Sequence, residues 1–171
     1  MKIRLLIFFI IFKTTLLVSQ SLSDLTFGTT NNLDVVTWNL EWFAKSDQIT
    51  IDSLVVAINA LDIDIVAVQE ISNVAEFQTL ISQLSGYSGY TSVSNLRLGY
   101  IYKSSLTVNS INTIFSNDTY NFAGRPPLVM NFSFNNEDVS IINIHLKCCG
   151  DGILDLNDQS DEETRRYNAI N

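Results

Sequence analysis

The sequence predicts an α+β fold, and three observations carry that prediction. Two apolar β-type runs flank a stretch of helical period, a second amphipathic stretch follows, and the later part breaks into short strand-like runs divided by polar turns.

The first run is Asp34-Val35-Val36-Thr37-Trp38-Asn39 and the second is Ile63-Asp64-Ile65-Val66-Ala67-Val68. Both are nearly continuous in apolar residues, as in central strands covered on both faces. Between them Ile51, Leu54, Val55, Ile58 and Leu61 recur at helical spacing, with Ser46 placed to cap the start, which gives strand, helix, strand. Asn73 and Glu76 then form a capping box for a helix whose stripe is Val74, Phe77, Leu80, Ile81 and Leu84, closed by Gly86. After Gly86, residues 99–103, 106–114, 128–134 and 139–146 read as strands separated by turns such as Ser116-Asn117-Asp118 and Asn135-Asn136, so the later part is mostly antiparallel. Residues 150–161 form a polar, acidic loop, and a capping box from Ser160 to Glu163 opens a last short helix to Ile170. A helix of about ten residues with no terminal cap is marginal unless further chain buries its apolar face. The expectation is a domain incomplete at its C-terminus.

A length of 171 residues, 46% hydrophobic and 16% charged, fits one globular domain with a sizeable core. At the N-terminus Lys2 and Arg4 precede an apolar run from Leu5 to Phe12, followed by Lys13 and small polar residues around Ser19 to Ser21. That is the layout of a signal peptide over residues 1–20, too short in its apolar run to cross a bilayer. The mature domain is then residues 21–171, secreted to an extracellular or periplasmic location with no stable membrane association. Loss of the segment leaves 7 basic against 18 acidic side chains, a net charge of −11. Such a balance argues against a passive nucleic-acid binder. It does not argue against a nuclease, because a bound divalent cation screens the substrate's charge where the chemistry occurs. The two cysteines, Cys148 and Cys149, are adjacent and supply neither a disulfide framework nor a closed zinc site. A vicinal disulfide and a pair of reduced thiols both stay open.

Polar groups where apolar strands finish are the candidate chemistry: Asn39 after the first run, Glu70 after the second, and His145 within residues 139–146. Singly, each has a plain structural role as turn former, helix-start residue or core imidazole. Together, Thr37-Trp38-Asn39-Leu40-Glu41-Trp42, Asp64-Ile65-Val66-Ala67-Val68-Gln69-Glu70 and Asn143-Ile144-His145-Leu146-Lys147 resemble, in order and spacing, motifs of the endonuclease/exonuclease/phosphatase superfamily. Gly124-Arg125-Pro126-Pro127-Leu128 is similar to the arginine turn of its pancreatic-type deoxyribonucleases and secreted bacterial nucleases. The resemblance runs from about Asp34 to Ala169.

It implies a four-layer α/β/β/α sandwich and a metal-dependent phosphodiesterase acting on nucleic acid. Glu70 would bind Mg²⁺ or Mn²⁺ as a hard oxygen ligand. Asn39 would orient the metal site or the attacking water, His145 would contact the scissile phosphate or leaving oxygen, and Arg125 would clamp a phosphate bidentately. Relatives of the same fold cleave sphingomyelin or inositol phosphates, which gives a second substrate class; a non-catalytic secreted binding module is a third reading. The family's Asp-x-Asn and terminal Ser-Asp-His-like elements do not follow His145. Asp155-Leu156-Asn157 has the spelling of the first but sits in the acidic loop rather than after a strand. That loop, with Asp151, Asp155, Asn157, Asp158 and Asp161, lacks the glycine and glutamate of an EF-hand, so a solvated loop is favoured and Ca²⁺ stays open as an alternative ion. Tyr100 and Tyr102 are candidate substrate-side aromatics, with core packing favoured for at least one because successive strand residues alternate faces.

Overall fold

The structure is a computed structural model that describes residues 21–94 and 96–171. The signal-peptide expectation falls on residues 1–20, outside the described residues. In chain order the elements are β1 (Val35–Phe43), α1 (Asp47–Leu61), β2 (Ile65–Ile71), α2 (Val74–Gln83), β3 (Tyr87–Thr91), β4 (Arg97–Lys103), β5 (Thr107–Thr113), β6 (Leu128–Phe134), β7 (Glu137–Asn143) and α3 (Glu162–Ile170), after a single 3-10 turn at Leu22–Asp24.

The strands form a four-stranded sheet in the order β1-β2-β4-β3 and a three-stranded sheet in the order β5-β6-β7. Among the described residues only β1 and β2 pair in parallel, because α1 carries the chain back to the same end before β2 begins. Alternation along β2 then builds two cores from one strand. Val66, Val68 and Ile71 turn toward the helices, where they meet Ile51, Leu54 and Ile58 of α1 and Phe77 and Leu80 of α2. Ile65 and Ala67 turn the other way and pack with Leu98 and Tyr100 against Leu128, Met130 and Phe132 of β6. Ile58, Phe77 and Leu80 are at most 2% exposed, and burying each such side chain contributes about 1.5–3 kcal/mol. On the outer side of the three-stranded sheet, the end of α3 lines a groove with Ile142 and Ile144. The mixed α+β layering is the one anticipated.

Several local expectations are corrected. The first run is not a central strand: β1 lies at the sheet edge, and Val35, Thr37 and Asn39 are exposed on the face that looks toward the second sheet. Residues 87–91 form a strand that the sequence pattern hid, because its polar Tyr-Ser-Gly-Tyr-Thr composition lies on the opposite edge. Ser46 makes no side-chain cap; its backbone N–H instead donates to Thr50 Oγ1. Asn73 does cap α2, accepting from the backbone N–H groups of Ala75 and Glu76, but Glu76 accepts from Ala44 N rather than closing the box. At α3 the cap is Asp161, which accepts from Thr164 N, while Ser160 donates to Asp158. Helix α2 ends at Gln83 with Leu84, its C-cap, still buried in the helix-side core, and Gly86 serves the following turn with φ +81°. Strand β7 stops at Asn143, so His145 lies just past its end.

The register irregularity next to Glu70 positions the site. Between β1 and β2 the pairing passes from Asn39↔Gln69 to Phe43↔Ile71, four residues against two. Between β2 and β4 it passes from Val68↔Gly99 to Ile71↔Arg97, three against two. Glu70 is the extra residue of β2, with φ +62°. The bulge shifts the phase of the strand, so Ile71 rather than Glu70 joins the helix-side core.

Candidate active site

The structure brings together all four residues singled out from the sequence. Asn39 leaves the exposed inner face of β1, and its Oδ1 accepts from the Glu41 backbone N–H at 2.9 Å. That local bond fixes the carboxamide so that Nδ2 donates to Glu70 Oε1 at 3.1 Å. His145 Nε2 lies 3.6 Å from the same Glu70 oxygen, with both side chains largely buried. Arg125 follows a tight turn in which Gly124 takes φ +78°, a conformation that suits glycine. Its guanidinium is drawn into the structure, 8% exposed, where Nη2 donates to the Leu146 carbonyl at 3.2 Å.

The electrostatics of these groups are mutual. Burial pushes the His145 imidazole below its ordinary value; the Arg125 charge adds to this and Glu70 opposes it. Burial likewise lowers Arg125, with Glu70 pulling it back up and Arg165 pressing it down. A neutral histidine thus sits between a carboxylate and a guanidinium. Two atoms of the set, Arg125 Nε and His145 Nδ1, are buried without a hydrogen-bond partner among the described residues. Such atoms carry a desolvation penalty of about 1–3 kcal/mol until something completes them.

Of the two carboxylate oxygens of Glu70, Oε1 is engaged by Asn39, while Oε2 accepts no hydrogen bond among the described residues. A single, amide-oriented carboxylate with one free oxygen fits an ion that keeps most of its waters, as Mg²⁺ and Mn²⁺ do, and does not by itself fit a closed zinc cage.

Other expectations separate from this site. Asp155 and Asn157 close a turn on each other, with Asn157 N donating to Asp155 Oδ1, and among the described residues no hydrogen bond or ion pair joins them to the four. In the acidic loop, carboxylate oxygens of Asp151, Asp161 and Glu163 lie within 4.8 Å of one another. Glu163 was not in the expected set, and it also pairs with Arg166 at 2.6 Å and accepts from Gly152 N. Cys148 and Cys149 form a vicinal disulfide. Tyr100 is fully buried and donates to the carbonyls of Leu128 and Ile141, while Tyr102 packs at the margin of the same core, so neither faces a substrate.

The sequence reading missed the buried polar residues behind the site. Gln69, 6% exposed, donates through Nε2 to Asn143 Oδ1 at 2.7 Å and to Thr37 Oγ1 at 3.0 Å. The available signal was a glutamine within an apolar strand, since a buried carboxamide must find partners. Also missed was Arg165, stacked 4.3 Å over the Tyr120 ring and bonded to its carbonyl.

No protein-family model matches the sequence, and no curated protein is similar to it in sequence. Solved structures do match. TDP2 from D. rerio complexed with single strand DNA product superposes with a TM-score of 0.61 at 18% identity, over 70% of this chain and 48% of that one. Truncated TDP2 from Caenorhabditis elegans gives 0.57 at 18% identity, over 68% and 47%. An endonuclease/exonuclease/phosphatase family protein from Leptotrichia buccalis gives 0.59 at 13% identity, over 81% and 60%. The chain spans about half the length of these TDP2 chains. Two sheets packed face to face with helices outside, matched over most of the chain by these structures, give this protein the endonuclease/exonuclease/phosphatase fold.

Proposed function

We propose that this protein belongs to a secreted, divalent-metal-dependent phosphodiesterase that hydrolyses nucleic acid. The observation that supports the reading is the convergence of Asn39, Glu70, Arg125 and His145, from four separate segments, on one end of the two sheets. A carboxylate, a carboxamide, a neutral imidazole and a buried guanidinium form a set suited to a phosphodiester. Among the solved structures of this fold, one holds a single-stranded DNA product.

In this reading Glu70 holds Mg²⁺ or Mn²⁺ through its free oxygen, and the Asn39 amide fixes the rotamer that presents it. The bound ion supplies Lewis-acid stabilisation of charge on the phosphoryl group. Arg125 brings its guanidinium charge to a phosphate oxygen, with a charge-assisted hydrogen bond worth about 1.5–3 kcal/mol. His145 donates a hydrogen bond from a neutral ring, which burial favours over the charged form. The four side chains bind and orient the diester; activation of water falls to groups outside this set.

The test is Glu70→Gln in the full-length gene product, with Mn²⁺ binding followed by calorimetry and hydrolysis measured on single-stranded DNA and on sphingomyelin. Loss of both Mn²⁺ binding and DNA hydrolysis is expected. Unchanged Mn²⁺ affinity removes Glu70 from the metal site, and hydrolysis of the lipid headgroup without that of DNA moves the substrate class.

A further inference from the structure

Behind Glu70 and His145 the two sheets are joined by a pair of buried carboxamides. Asn143 is the last residue of β7, two positions before His145, and is 2% exposed. Its Nδ2 donates to the carbonyls of Val68 and Gly99 at 2.9 and 3.0 Å. These carbonyls belong to the last regular pair of β2 and β4 before the bulge. Its Oδ1 accepts from Gln69 Nε2 at 2.7 Å, and Gln69 immediately precedes Glu70. Gln69 donates as well to Thr37, two residues before Asn39.

We propose that Gln69 and Asn143 are positioning residues that hold the Glu70 bulge in register with the His145 segment. A bulge interrupts the ladder and leaves carbonyls without strand partners; in a buried sheet interface these must be satisfied. Asn143 donates to two carbonyls beside the bulge with one amide, and its own side-chain oxygen accepts from the neighbour of Glu70. Asn143 thus ties the residues flanking Glu70 to the strand that leads into His145, so a shift of the bulge is coupled to a shift of the His145 segment. An apolar residue at position 143 would pack but would not register the sheets, because dispersion contacts do not prefer one register over its neighbour as directional hydrogen bonds do.

This inference rests on Glu70 as the metal ligand, and the experiment separates the two. Mn²⁺ affinity is measured by calorimetry on the full-length protein carrying Asn143→Ala, Gln69→Met, Glu70→Gln or Phe132→Leu, each verified as folded by circular dichroism. Phe132→Leu is a core change in the same sheet that leaves both carboxamides in place. Asn143→Ala and Gln69→Met are expected to weaken Mn²⁺ binding about 10-fold or more, in line with outer-shell partners of metal ligands, while Phe132→Leu retains the wild-type affinity at a comparable loss of thermal stability. Wild-type affinity in Asn143→Ala and Gln69→Met, with loss in Glu70→Gln, overturns the positioning role and keeps the metal site. Wild-type affinity in Glu70→Gln overturns both. If the two carboxamide variants are unfolded where Phe132→Leu is folded, the pair serves the fold and the positioning role is withdrawn.

Discussion

The Asn39 side-chain amide donates to Glu70 Oε1 at 3.1 Å, although the two residues stand 31 positions apart and on different strands. The regular parallel pairing of β1 with β2 is interrupted after Asn39↔Gln69, so the amide comes level with a carboxylate that the bulge has turned out of the helix-side core. Removing the amide should loosen the carboxylate and little else. Asn39→Ala is expected to weaken Mn²⁺ binding about 10-fold and to change unfolding free energy by less than about 0.5 kcal/mol, because the residue is exposed. Calorimetry and urea unfolding read the two quantities separately; a large stability loss with intact binding would refute the assignment.

Glu70 has φ +62°, in the left-handed region that disfavours side chains with a Cβ. Function and stability should therefore oppose each other at this position. Glu70→Gly is expected to be more stable than Glu70→Ala by about 1 kcal/mol, although both lose the metal. Equal urea midpoints for the two variants would show that the backbone conformation carries no strain.

His145 gives a pH signature. Its folded pKa lies below the unfolded value of about 6.5. Within that window the unfolded chain binds more protons than the folded one, so stability rises with pH. The contribution is fully present above about pH 6.5 and is lost as pH falls through the folded pKa. Urea midpoints at pH 5 and pH 7.5 should differ more for the wild type than for His145→Phe. As His145 is the sole histidine, its imidazole signals in an NMR titration give an independent reading; a value above 6.5 would contradict the burial argument.

At position 125 charge and geometry can be separated. Arg125→Lys keeps the charge but not the planar fork, and the shorter reach of an ammonium from a buried stem should cost about 10-fold in the rate of DNA hydrolysis at subsaturating substrate. Arg125→Ala should cost about 10- to 100-fold, from a charge-assisted contact of about 1.5–3 kcal/mol. Full activity in Arg125→Lys would make the residue a simple counter-charge.

Much of the architecture was legible in local pattern. The helical stripe from Ile51 to Leu61, the continuous apolar run at Ile63–Val68 and the Asn73 cap each depend on residues within a few positions, and each is where the pattern put it. Ser46 lies before α1 but its hydroxyl makes no cap, and at α3 the neighbouring Asp161 takes the capping position while the Ser160 hydroxyl donates to Asp158. Strand β3 was hidden because an edge strand need not be apolar.

By itself the sequence determined the α+β class and the three polar residues where apolar runs finish, Asn39, Glu70 and His145, since these follow from periodicity and from residue chemistry; Arg125 was marked only by the family resemblance. Only the tertiary structure decided that β1 is an edge, that Glu70 turns out of the core through a left-handed bulge, and that Gln69 and Asn143 join the sheets behind it. The reason is physical: a bulge and its compensating hydrogen bonds arise from the registers of β1, β2 and β4 taken together with a side chain from β7. No single window of sequence contains all four.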